Sequence, residues 1–299
     1  MKLLIAGGTG FIGASLCQRL VQRGHELVVL IRQPSRQSAQ PGVQLLSWET
    51  GEWQRALGSM HGLINLAGES VAAKRWTPRQ KTLIRNSRIQ TTQRLVTAVA
   101  QLPRRPAVLI NASAVGYYGA RGDEELVESD SPGGGFLAQL CQAWEYEAQR
   151  AEALGVRVAR LRIGMVLGRD GGALSKMVPP FRLCLGGPLG SGRQQVSWIH
   201  RDDVVGLIEW ILERPDVAGA VNATAPQPVT MREFCATLGR VLKRPSWAPV
   251  PALALRLLLG EMAELLLSGQ RVMPSIALRG GYTFSHPTLR PALEACLKG

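Results

Sequence analysis

Three glycines spaced three apart, Gly7, Gly10 and Gly13 in GGTGFIG, follow a short apolar run from Lys2 to Ala6. Behind them Phe11, Ile12, Leu16, Leu20 and Val21 recur at helical spacing, so the glycines lie between a strand and a helix. There they let the chain turn tightly, let backbone approach a pyrophosphate, and let helix pack against strand. Backbone N–H groups from Thr9 to Ile12, unpaired at the helix start, face the phosphates in such a turn. The chemistry is dinucleotide binding. A purely structural turn would also use glycines, but would not require all three at the first strand–helix junction.

The residue closing the next strand, Glu26 to Ile31, selects between nicotinamide cofactors. An acid there bonds the ribose hydroxyls of NAD, whereas an arginine accommodates the 2′-phosphate of NADP. Arg32 stands there, 19 residues after Gly13, with no Asp or Glu beside it. NADP(H) is therefore the expected cofactor, the plain alternative being a solvated arginine at a strand end. The fourth strand runs into Asn65-Leu66-Ala67-Gly68, and small residues at its end leave room for adenine and ribose. Leu66, Ala67 and Gly68 are thus cofactor candidates. Arg193, between Gly192 and Gln194, suits a clamp on a substrate anion. In Trp198-Ile199-His200-Arg201-Asp202-Asp203, the acids are expected to cap the next helix rather than relay protons.

The elements that position these residues alternate. Strands are predicted at Lys2–Ala6, Glu26–Ile31, Val43–Trp48, Leu63–Leu66, Ala107–Ala112 and Val156–Ile163, with helices around Pro78–Ala100 and Phe136–Leu154. Such alternation implies an α/β fold, a Rossmann-type doubly wound parallel sheet covered on both faces. Residues 1–168 are predicted to form the cofactor domain, with segments of about 196–225 returning to it. Residues 169–299 form a smaller mixed substrate-side domain and C-terminal helices, opening with a glycine- and proline-rich stretch that reads as loop. A Thr230/Glu233 capping box starts a later helix.

Composition bounds the partners. The formal charge is +13, yet no run of five like charges occurs and aromatics are only 5%, poor material for stacking on bases. Nucleic acid is not an expected partner; phosphorylated cofactors and a small-molecule substrate are. No run of about 18 apolar residues occurs, so no membrane span is predicted and the expected location is cytoplasmic. The five cysteines are scattered without metal-ligand spacing, so no metal is expected. The sequence carries no signature of oligomeric state, and a homodimer is open.

The motifs GGTGFIG, NLAG, NASAVGYYG, LRIGMVLG, SWIHRDDV and GGYTF together resemble an extended short-chain dehydrogenase/reductase of the NAD-dependent epimerase/dehydratase superfamily. AGESVAAKRWTPRQK, SRIQTT, PPFRLCLGGPLGSGRQ and WIHRDD resemble its atypical "epimerase family" branch, with an extra C-terminal helical region. The resemblance implies a Rossmann core, NADP(H), and cofactor contacts from Leu83, Arg88 and Val166. It also implies an oxidoreductase or epimerase/dehydratase reaction, with Ser113 at the end of the fifth strand polarising a carbonyl. The branch's substrates are generally not established, and some relatives are linked to cell division. The usual Tyr-x-x-x-Lys is not matched: the aligned positions, fixed by Glu145, are Leu137 and Cys141, and that helix has no lysine. Tyr117 is the alternative acid; Tyr118 matches a structural Tyr-Gly. The competing reading is a non-catalytic NADP(H)-binding regulator or scaffold.

Overall fold

The computed structural model describes residues 1–32 and 41–297. In chain order its strands are β1 (Lys2–Ala6), β2 (Glu26–Ile31), β3 (Val43–Ser47), β4 (Gly62–Asn65), β5 (Val108–Ala114), β6 (Glu125–Leu126) and β7 (Arg157–Ile163). Then come β8 (Met165–Leu167), β9 (Gln195–Val196), β10 (Trp198–His200), β11 (Gly219–Ala223), β12 (Val229–Thr230) and β13 (Arg271–Val272). The helices are α1 (Phe11–Gln22), α2 (Glu52–Leu57), α3 (Pro78–Ala100), α4 (Phe136–Gln149), α5 (Leu174–Arg182) and α6 (Arg201–Glu213). They continue with α7 (Met231–Leu242), α8 (Ala252–Leu259), α9 (Glu264–Leu267), α10 (Ser275–Arg279) and α11 (Leu289–Leu297).

Seven parallel strands form the main sheet in the order β11-β7-β5-β4-β1-β2-β3. The strand order reverses between β1 and β4, and the crevice beyond their carboxyl ends is where such sheets bind ligands. Both faces are covered, as near-continuous apolar strands require. Leu3, Ile5, Ile110 and Leu161 meet α1 and α6 on one face, while Leu4, Leu63, Leu109 and Val158 meet α2 and α3 on the other. A third core, around Phe181, Trp198, Phe234 and Leu293, holds the substrate-side domain together.

The structure departs from expectation in two places. The glycine- and proline-rich stretch contains α5, because Leu174, Val178 and Phe181 recur at helical spacing and are buried together in the third core. Pro179 and Pro180 fall in its second half, where they lack an N–H but do not stop the helix. Second, α6 is capped by neither aspartate. His200 is the N-cap, its Nδ1 accepting from the Asp202 N–H at 3.1 Å. Fully buried Asp203 instead accepts from the Ser285 and His286 N–H groups at 2.7 and 3.0 Å, binding the C-terminal segment to the core. The capping box is seen: the Glu233 N–H donates to Thr230 Oγ1 at 3.2 Å. Among the described residues, no helix is long and apolar enough to cross a membrane.

Candidate cofactor and reaction site

The loop after β1 and the loop after β4 touch at the point where the strand order reverses. Gly7 has φ +81°, and a Cβ there would lie 2.7 Å from the Leu66 carbonyl carbon, so only glycine serves both demands. A Cβ on Gly13 would meet the Gly7 oxygen at 2.1 Å, so α1 starts in contact with the turn. Gly8, not singled out from the sequence, has the same tightness on its other side, where a Cβ would meet Val29 at 2.7 Å. Gly10 donates to the Gly7 oxygen at 3.1 Å and is the N-cap of α1, with no side-chain cap. Thr9 and Gly10 are exposed and Phe11 and Ile12 half-buried, and no side chain caps the first-turn N–H groups.

The neighbouring candidates gather around this turn. Phe11 packs under Gly168, Gly171 and Gly172, and the Arg201 guanidinium lies 5.0 Å above its ring. The Val166 carbonyl lines the same tight bend, 2.7 Å from where a Gly172 Cβ would be. Leu66 donates to the Ala6 oxygen at 2.8 Å and Ala67 to Asn65 Oδ1 at 3.2 Å, fixing the β4 loop beside the glycines. Gly68 lies under the Arg88 guanidinium, 2.9 Å from a built Cβ to Cζ. Arg88 donates from Nη1 to the Glu69 and Ile84 oxygens and rests 5.2 Å over Trp144, and burial lowers its pKa. Arg32 stands exposed at the end of β2, beside the end of β3, where the Trp48 N–H donates to the Ile31 oxygen at 3.1 Å. Leu83 is 48% exposed; its neighbour Ile84 is the residue that packs inward. Arg193 is exposed on the substrate-side domain, its N–H donating to Ser191 Oγ at 3.2 Å.

Ser113 is 3% exposed and donates to Glu145 Oε1 at 2.6 Å. Glu145 is gripped by Arg162 through two bonds, Nε to Oε1 at 2.9 Å and Nη2 to Oε2 at 3.0 Å. Arg162 Nη1 donates further to the Tyr118 hydroxyl at 2.9 Å, which contacts Asn222 Oδ1 at 2.8 Å. Burial pushes the Tyr118 phenol up to about 12, so it stays protonated within this chain of bonds. The Tyr117 ring stacks on Arg162, 3.4 Å from guanidinium carbon to ring centroid, and lines a groove of about 640 Å³ with Arg85, Tyr146 and Arg160. The Ser113 proton is therefore committed to a carboxylate, and its oxygen offers lone pairs rather than a donor. Neither Glu145 nor Arg162 was a candidate from sequence. Two arginines on alternate positions of a buried strand, Arg160 and Arg162, were the available signal.

Neither position aligned with Tyr-x-x-x-Lys offers a phenol or an ammonium. Leu137 packs against the cluster of Trp76, Ile84, Leu140 and Met262, the last supplied by the C-terminal region. Cys141 is buried, its thiol pushed up to about 11 first by desolvation and then by the Glu145 charge. His200 stacks on His286 with centroids 3.9 Å apart while capping α6.

The family described as "NAD dependent epimerase/dehydratase family" matches residues 3–223. This chain belongs to it. Residues 250–296 match a domain of unknown function, DUF1731, over the C-terminal helices. The chain is 43% identical to "Epimerase family protein SDR39U1 homolog, chloroplastic" of Arabidopsis thaliana, covering 100% of this chain and 87% of the relative. It is 42% identical to "Epimerase family protein Mb2239" of Mycobacterium bovis, covering 97% and 95%. A crystal structure of human epimerase family protein SDR39U1 with NADPH superposes with a TM-score of 0.91 at 36% identity, over 100% of this chain and 99% of that one. The resemblance read from the motifs and the Rossmann-type fold are thus both established for this family member.

Proposed function

We propose that this chain binds NADPH at the β1–β4 crevice and acts as an oxidoreductase or epimerase/dehydratase on a small molecule, without the Tyr-x-x-x-Lys pair. The observation that carries the binding half is the Gly7–Gly13 turn, which has no room for a Cβ at Gly7, Gly8 or Gly13 and leads into a helix with no side-chain cap. The human relative solved with NADPH supports it, as does Arg32, exposed where the 2′-phosphate would be met. Backbone N–H groups of Thr9 to Ile12 would hold the pyrophosphate. Leu66, Ala67, Gly68 and Val166 would wall the crevice, Leu83 would border its rim, and Arg88 would place a cation beside it. When bound, the cofactor supplies the hydride chemistry: NADPH gives a hydride to a carbonyl, whereas in an epimerisation NADP⁺ takes one and returns it.

In the reaction half, Ser113 orients a donor group of the cofactor or substrate through an oxygen lone pair, because its hydroxyl hydrogen is already donated to Glu145. Tyr117, stacked on Arg162, is the candidate acid, and Arg193 the clamp on a substrate anion. Incubating the protein with NADPH and carbonyl compounds, followed by absorbance, and with NADP⁺ and sugar nucleotides, followed by product chromatography, tests this: turnover in either arm that is slowed at least about tenfold by Tyr117→Phe is the expected result. A second reading, a non-catalytic NADPH-binding regulator, is favoured by Leu137 standing at the acid position and by the buried state of Ser113. Tight NADPH binding with no turnover across the panel would select it.

A further inference from the structure

Six large apolar side chains stand in water along two joined stretches of the substrate-side and C-terminal regions. Leu183, Leu185 and Trp247 are 71%, 58% and 66% exposed, and Leu253, Leu257 and Leu258 are 70%, 70% and 68% exposed. The stretches are held side by side: the Trp247 indole N–H donates to the Cys184 oxygen at 3.0 Å, between the two leucines. The Trp247 and Ala248 N–H groups both bond the Gly186 oxygen, and Leu189 pairs with Val250. Helix α8 follows directly. It buries Leu255 while Leu253 and Leu257, one turn apart, project from the opposite side. Exposed apolar groups gathered in this way mark an interaction surface.

Charge says what the surface meets. Residues 174–190 and 240–259 contain six cations, Lys176, Arg182, Arg240, Lys243, Arg244 and Arg256, and no acid. The next acid along the chain, Glu261, is paired with Lys81. Two copies facing each other through these stretches would set cation against cation, which disfavours self-association. Leucines and a tryptophan framed by lysine and arginine match an anionic lipid surface, with the hydrocarbon entering the headgroup layer and the cations meeting the phosphates. We propose that this face seats the protein peripherally on an anionic bilayer. The seat revises the expectation that the protein has no membrane partner.

Co-sedimentation with vesicles tests it. Wild type is expected to pellet with phosphatidylglycerol vesicles, not with phosphatidylcholine vesicles, and to be released by high salt. Leu253→Ser/Leu257→Ser is expected to lower partitioning at least about tenfold. Both side chains are exposed, so the variant should melt like wild type, and that melt serves as the folding control. Failure of wild type to pellet with either vesicle, or equal pelleting by the double variant, would overturn the proposal. So would a wild-type dimer in sedimentation velocity that the double variant abolishes without any vesicle binding, since a second copy would then be the occupant.

Discussion

Glu145 lies between a serine and an arginine, all three buried, and this decides what each can do. Replacing Glu145 by Gln leaves the Arg162 charge without its bidentate partner in a site 3% exposed, an expected loss of about 3–5 kcal/mol by urea denaturation. Replacing Ser113 by Ala keeps the Arg162–Glu145 pair and should cost only about 1 kcal/mol. Equal costs would contradict the hierarchy of this network. His200 contributes a pH dependence. Burial, then the charge of His286, holds its pKa below the ordinary value, so the unfolded chain takes up this proton first as pH falls. Its contribution is therefore present above about pH 6.5 and is lost as pH drops through the lowered folded value. His200→Asn, which keeps an acceptor for the Asp202 N–H, should flatten that part of the acid limb in thermal melts run from neutral to mildly acidic pH. An unchanged slope would place the titration elsewhere.

At the scale of elements, much of the fold was legible because apolar periodicity and glycine spacing act locally. Lys2–Ala6, the glycine turn and the helix from Phe11 could be read from consecutive residues, and so could Arg32 at the end of β2. The Ser113–Glu145–Arg162 group could not, since it exists only through register: Ser113 lies opposite Arg162 when β5 pairs with β7, and α4 then lays Glu145 across both. Helix α5 was hidden for a different reason, because Pro179 and Pro180 outweighed a buried apolar stripe. Asp203 was legible as an acid near a helix start, but its use, gathering the N–H groups of residues 285 and 286, needed the tertiary fold. Asp203→Ala orphans both, and should cost about 2–4 kcal/mol and expose the C-terminal segment to limited proteolysis ahead of the core. Gly13→Ala would drive a methyl into the Gly7 oxygen, 2.1 Å away. An at least tenfold weaker NADPH affinity is the expected outcome in a fluorescence titration, since the turn must open by roughly an ångström. Wild-type affinity would contradict the glycine turn as the phosphate site.

Over the whole molecule, a parallel sheet of seven strands brings the ends of β1, β2 and β4 to one crevice, and Met262, between α8 and α9, packs against Trp76, Ile84 and Leu140. In the proposed function this crevice selects the phosphorylated nicotinamide cofactor through Arg32. A ligand that binds only the folded state stabilises it, by about 2.7 kcal/mol at a hundred times its Kd, so affinity can be read from both fluorescence and melting. The direct test is titration of wild type and Arg32→Asp with NADPH and NADH. Wild type should bind NADPH in preference to NADH and melt at a higher temperature with it, and Arg32→Asp should lose that preference. Binding of neither cofactor by wild type, or a preference for NADPH undiminished in Arg32→Asp, would contradict it.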